Sequence, residues 1–538
     1  MRTDKSNHDW PRLVGSCDEP GPVMHSSRGA TPAPSQSRRS RNASLIMLLL
    51  FACVLPGCAA FRSYDKELNQ TLSMTAAGDV NGAIKRLQKD NKGKDKDLLY
   101  YLEYGGLLRL KSDYNDSQTS WMTANTTVQA WEDAAKADPS RTAGDALSYI
   151  INDKMRPYEG HDYEKVMLTT RIAMNDLAMA NWENARVAIK QTHEREAIIA
   201  EVREKQYQQV EKEAQKRGST LGFKDLKGYP VETINDPEVN GLRNSYQSAF
   251  SHYLAGFIYE ALGEPSLAAP GYRQAIELQP NIPLLDEGLA GLDKRVGARD
   301  DGLTDVLFEI ETGLAPALVS KQFPIPVPIN GTLILIPISF PVIKPEGESF
   351  IPSELHVDST QTLVPVQIAS VDAMARRALK DDMNGIMLRG FIRATAKAVA
   401  QYSLQRQAQQ QNSLALSIAA LAVTVGSVVT ESADERTWRT LPARIAIARG
   451  KLPPGTHTIT LSTPAGPRSV QVNISGRYTF ISLRMIRGQF FPMLPVAGLG
   501  GGTPQAQLGG GTPQAQESAP ASTGPIVESQ SNLEESVK

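Results

Sequence analysis

Few residues in this 538-residue chain stand where chemistry would need them, and the clearest is a cysteine. Cys58 closes the stretch Leu55-Pro56-Gly57-Cys58, at the end of an apolar run from Ser44 to Leu55. Its thiol is the one nucleophile whose position the neighbouring residues explain. His161, His193, His252, His356 and His457 lie singly, and none has the His-Glu-x-x-His spacing of a zinc pair. Ser63-Tyr64-Asp65-Lys66 matches Ser-x-x-Lys but lacks the companion motifs, so chance explains it better. No Gly-x-Ser-x-Gly elbow, P-loop or dinucleotide fingerprint occurs. These residue types point to no catalysis, no cofactor, no metal site and no small-molecule substrate.

The run before Cys58 is too short for a bilayer span, which needs roughly 20 apolar residues. Arg38, Arg39 and Arg41 precede it and Gly57 follows it, as in a secretory signal peptide. Leu55, Gly57 and Cys58 resemble the lipobox of bacterial lipoproteins, whose cysteine carries the lipid, and Pro56 departs from that pattern. The resemblance implies lipidation at Cys58 and a membrane partner through that anchor. Ala59, where an Asp would favour inner-membrane retention, implies the periplasmic leaflet of the outer membrane. Cys17 and Cys53 fall in the segment that would be removed, leaving one thiol and no disulfide framework. Residues 1–37 read as an overlong start, with Met24 an alternative initiator, so 1–57 is expected to be leader and signal peptide.

The formal charge is −1 and no basic block follows Cys58, which argues against nucleic acid as a partner. Residues 58–300 carry helix formers and almost no strand signal. In "SHYLAGFIYEALGEPSLAAPGYRQAIELQPN", Gly256, Tyr259, Gly263, Ala268, Tyr272, Ala275 and Pro280 fall at the spacing of the 34-residue tetratricopeptide (TPR) helix–turn–helix. Small residues at 256 and 268 let the two helices cross closely, the tyrosines fill the space around them, and Gly263 and Pro280 end the helices. Weaker units place Gly105 with Trp121, Ala173 with Ala185 and Ile189, and Gly78 with Ala83 and Leu87. A plain helical bundle is the alternative. Glu194 to Lys216 reads as a long charged helix with a solvated face.

The segments "YYLEYGGLLRLKSDY", "NDKMRPYEGHDYEKVM" and "RTWRTLPARIAIARGKLPPGTHTITL" resemble a family of uncharacterised TPR-containing bacterial lipoproteins, over about residues 58–490. The resemblance implies an envelope lipoprotein and brings no catalytic residues. Arg156, Tyr158 and Tyr163 form a polar–aromatic loop that is either a partner-binding surface or a structural cap.

The pattern changes after residue 300. "DVLFEIET" alternates as a half-buried strand, and Asn330-Gly331 marks a hairpin within 304–343. Pro324, Pro326 and Pro328 require an edge strand whose prolines face away from the pairing side. Ser370 should cap a first helix, with a second over Asn384 to Gln409. Residues 413–432 are uncharged up to Glu431 and near the length of a membrane span. Their Ala, Val, Ser and Thr favour a buried apolar helix over a membrane-inserting one. Residues 438–486 read as a compact antiparallel β unit. The tail at 491–538, with "LGGGTPQAQ" twice, reads as disordered.

The expected fold is therefore α+β, with a TPR-like helical domain (58–300), a mixed domain (301–490; hairpin 304–343, helices 370–431, β unit 438–486) and a tail. The expected function is a lipid-anchored envelope scaffold binding an envelope protein. The alternatives are a membrane-inserting protein using 414–429, or an envelope enzyme whose site lacks a recognisable motif.

Overall fold

Small residues at helix crossings and left-handed turns set the architecture of the first half. The computed structural model describes residues 64–93, 96–137, 154, 156–217, 226, 228–298, 301–344, 346–411 and 431–496. The helices are α1 (Tyr64–Ala76), α2 (Val80–Asp90), α3 (Leu98–Leu110), α4 (Tyr114–Ala137), α5 (Asp162–Ala178), α6 (Trp182–Lys216), α7 (Pro237–Gly241), α8 (Ala249–Ala261), α9 (Pro265–Leu278), α10 (Pro283–Leu289) and α11 (Leu292–Gly297).

Four hairpins, α1–α2, α3–α4, α5–α6 and α8–α9, turn in the same way. Gly78, Ser112, Ala180 and Gly263 each adopt positive φ. In each turn the next residue's N–H returns to a carbonyl five positions back, as in Glu264 to Tyr259 at 2.8 Å and Asn181 to Asp176 at 2.7 Å. This is the Schellman closure, which satisfies the last carbonyls of the first helix. Asp79, Asp113, Asn181 or Glu264 then begins the second helix. Thirty-four residues separate Gly78 from Ser112, and twice that separate Ser112 from Ala180. Seven positions before each turn stand Thr71, Gly105, Ala173 and Gly256; five after it stand Ala83, Ser117, Ala185 and Ala268. All eight are buried.

The strands are β1 (Thr304–Thr312), β2 (Ala317–Ile329), β3 (Thr332–Lys344), β4 (Leu355–Val357), β5 (Gln361–Leu363) and β6 (Val366–Ser370), then helix α12 (Val371–Gln411), then β7 (Arg444–Leu452), β8 (Gly455–Leu461), β9 (Arg468–Ile474), β10 (Tyr478–Ile486) and β11 (Gln489–Met493). A five-stranded sheet runs β11-β10-β1-β7-β6, with β1 parallel to β10, and a four-stranded sheet runs β5-β4-β8-β9. Val306, Phe308 and Ile310 face the four-stranded sheet's Ile459, Leu461, Val472 and Ile474. The opposite face joins Leu307, Ile445, Ile447 and Phe480 to the helical core. Helices, five-stranded sheet and four-stranded sheet thus form three layers, and the change near residue 300 is one of secondary structure within a shared core. The α+β class stands.

Four details differ from expectation. Strand β1 is buried on both faces, because Glu311 meets the buried Arg171 and Arg484, and Glu309 the Ser482 hydroxyl, instead of water. It also pairs with β7 and β10, so the hairpin is β2–β3 alone. Residues 438–486 are no separate β unit, since β7 and β10 flank β1 while β8 and β9 join the other sheet. One continuous helix, α12, replaces the expected pair. Its Gly390 admits the ribbon, where a Cβ would lie 3.0 Å from the Phe340 ring. Ser370 does cap it, accepting the Ala373 N–H at 3.2 Å. The β2–β3 ribbon turns at Asn330-Gly331, both at positive φ, as a two-residue hairpin requires. It packs Phe323, Ile325, Ile338 and Phe340 on α12 residues Leu379, Met383 and Met387.

Candidate functional site

Cys58, residues 412–430 and the tail beyond 496 lie outside the described residues. The loop at 156–163 leads into α5. Tyr158 is 6% exposed and Tyr163 1%. Both hydroxyls donate to the Glu164 carboxylate near the start of α5. Glu164 also accepts the His161 N–H at 3.0 Å, the Thr437 hydroxyl at 3.0 Å and the Trp438 N–H at 2.7 Å. Arg436 stacks on Tyr158 and donates to the Arg156 carbonyl at 2.8 Å. The two tyrosines are therefore spent inside the molecule as a clamp on the 434–440 segment, and offer no side-chain surface to a partner.

A second carboxylate holds the same segment. Glu103 on α3 accepts the Arg439 N–H at 2.7 Å and the Thr440 N–H at 3.0 Å. Burial pushes its carboxyl up to about 7, against the opposing pull of these donors. Two helices of different hairpins thus bind three consecutive backbone donors. Neither glutamate stands out in the sequence: Glu103 is a lone acid in an apolar helical run, and Glu164 is one of several charged residues beside Asp162 and Lys165.

The residues of the best repeat match come together. A Cβ on Gly256 would lie 2.7 Å from the Tyr272 ring, and one on Gly271 would lie 2.7 Å from the His252 carbonyl. Tyr259, Ala268 and Ala275 are buried, Gly263 is left-handed and Pro280 follows the end of α9. The Tyr272 hydroxyl donates to Glu260 at 2.6 Å, and Arg449 of β7 reaches Tyr272, Glu260 and Asp305. The hairpin is bolted to the sheet by this network.

Between α4 and α6 lies a groove of about 130 Å³. Val128, Trp131 and Ala135 form one wall and Ile198, Ile199 and Val202 the other. Glu159, Asp162, Lys165 and Gln206 rim it. Arg203 ion-pairs with Asp162 and, at 3.1 Å, with Asp382 of α12, which fixes the α6 wall. Burial alone would raise the Asp162 carboxyl, but Arg203 and Lys165 hold it down at about 2. An apolar floor with a charged rim is the chemistry that receives an amphipathic peptide segment.

The helix–sheet boundary holds a second polar constellation. Glu311 lies between Arg171 and Arg484, the latter at 2.9 Å, while Ser482 donates to Glu309. Burial, and then the charge of Glu311, push the Glu309 carboxyl well above the usual range. Burial would raise Glu311 too, but the two arginines hold it below that range. Among the described residues no group of three or more His, Cys, Asp or Glu is placed to hold a metal ion, and no helix is long and apolar enough to cross a membrane. No family model matches the chain, and no curated protein matches it.

Proposed function

We propose that the protein is a lipid-anchored scaffold of the bacterial envelope, held to the outer membrane through Cys58, whose TPR-like hairpins receive a segment of an envelope protein without catalysing a reaction. The observation that carries this reading is the common register of the four hairpins. The 34-residue separation of the Gly78 and Ser112 turns is the period of the TPR unit. Stacked units of this kind leave extended surfaces for peptide ligands. The apolar groove between α4 and α6 supplies the place.

The test is a photo-crosslinking amino acid at Val202 or Gln206 in cells. A discrete adduct to one envelope protein, lost in Val202→Glu with helicity unchanged, is the expected result. An adduct only within the chain, to residues 138–153 between α4 and the Tyr158 loop, would assign the groove to the protein itself and sink the reading.

A second reading, membrane insertion through 414–429, is favoured by one observation. The outer face of the β2–β3 ribbon carries Leu333 and Leu335, 64% and 62% exposed, beside Pro324, Pro326 and Pro328. Such an apolar face suits a bilayer interface. A Cys58→Ala protein that still floats with membranes, and sinks when Leu333→Glu and Leu335→Glu are added, would favour it. A soluble Cys58→Ala protein would remove it.

A further inference from the structure

We propose that Arg109, Arg171 and Arg484 form a buried binding site for a small monovalent anion of the chloride class. The three guanidinium groups come from α3, α5 and β10 and are 1%, 4% and 1% exposed. Glu311 serves two of them, Arg171 and Arg484. Arg109 has no carboxylate partner among the described residues. Its Nη1 donates to the neutral Asn175 side chain at 2.5 Å, and its guanidinium lies 5.6 Å from the Tyr114 ring centre. Its Nε and Nη2 are buried without an acceptor among the described residues, as are the Nε atoms of Arg171 and Arg484. Arginine nitrogens are donors only, so whatever meets them must accept.

Charge decides the class of ligand. Three cations face two carboxylates, Glu309 and Glu311, so at least one positive charge is uncompensated. Burial favours the protonated form of Glu309, which enlarges the surplus. A buried charge without a counter-charge is strongly destabilising. Size decides the rest. The arginines and the Glu311 carboxylate line a cavity of about 10 Å³ together with Trp121, Trp438 and Thr440. That is room for about one water-sized sphere. Phosphate, sulfate and carboxylates are too large. A water molecule would fit and accept, but would leave the charge surplus in place.

The experiment is thermal unfolding of the full mature chain in sodium chloride and in sodium gluconate at equal ionic strength. A ligand that binds only the folded state shifts unfolding by its concentration over its Kd, so each tenfold rise in chloride above Kd should shift the equilibrium about tenfold. Gluconate, too large for the cavity, should give no such shift. Arg109→Met should lose the chloride-specific part. Should that variant not fold, bromide substitution in crystals of the wild-type protein should still give an anomalous peak beside Arg109 Nε. Equal stability in the two salts, or an ordered water with no bromide peak, would overturn the proposal.

Discussion

The Glu164 carboxylate on α5 accepts the backbone N–H of Trp438 at 2.7 Å, across 274 residues of chain. Four further donors, from Tyr158, His161, Tyr163 and Thr437, converge on the same two oxygens. Removing the acceptor would orphan the Trp438 N–H and the Tyr158 hydroxyl in the interior and leave the Tyr163 and Thr437 hydroxyls only each other. Glu164→Ala should therefore cost about 3–5 kcal/mol, in the range for breaking a buried charged network. Glu164→Gln should cost less, since its amide oxygen still accepts, but its NH2 would face donors. Urea midpoints measure both. A loss under about 1 kcal/mol for the alanine variant would mean the clamp contributes nothing net.

Half of this arrangement was legible in advance. The helical first half, the Asn330-Gly331 hairpin and the Ser370 cap follow from local patterns, and the structure contains each of them. Polar–aromatic composition could not separate an exposed recognition loop from a buried clamp, because Tyr158 and Tyr163 look alike in both. Their common acceptor is adjacent, but the segment it clamps lies far along the chain. Glu309 and Glu311 read as a solvent face because an arginine from another element is invisible to period-two alternation. The repeat register was visible at Gly78 and Gly263 and hidden at Ser112 and Ala180, where residues with side chains occupy the left-handed turn.

That last point is testable. Left-handed φ strains a non-glycine residue by roughly 1 kcal/mol. Ala180→Gly should stabilise the protein by about 0.5–1 kcal/mol, and Gly263→Ala should destabilise it by a similar amount, since nothing else crowds that site. Gly271→Ala is a different case. Its Cβ would meet the backbone of α8, which cannot rotate away, so about 2–4 kcal/mol is expected. Thermal midpoints of the three variants should fall in that order. Equal effects at 263 and 271 would contradict the close helix crossing.

Asp176 sits buried in the last turn of α5, where the helix dipole also disfavours a negative charge. Burial pushes its carboxyl from 3.8 up to about 7, with Gln118 offsetting part. An acid whose pKa is raised on folding contributes its full stability below the unfolded value. That contribution is lost as pH rises through the folded value. Asp176→Asn should match the wild type near about pH 4 and exceed it by about 2–4 kcal/mol near about pH 8. Urea titrations at the two pH values decide it, and a difference independent of pH would show that this carboxyl is not the group that titrates.

The proline edge of the ribbon carries the last prediction. Pro324 faces Pro337, a pair with no N–H between them, so both residues turn their backbones away from each other. By alternation Pro326 and Pro328 face outward with Pro324 along β2, and Pro341 does so with Pro337 along β3. Each outer edge thus lacks donors at these positions, which blocks addition of another strand. The exposed Leu333 and Leu335 would otherwise make this ribbon a favourable template. Pro324→Thr, Pro326→Thr and Pro328→Thr together restore three donors on one edge without touching the buried face on α12. The triple variant should self-associate with rising concentration, read as an increase in mass by light scattering over the wild type. The same change with Leu333→Glu and Leu335→Glu added should not. A triple variant whose mass equals that of the wild type at every concentration would mean the prolines serve only the turn of the ribbon, and not the protection of its edge.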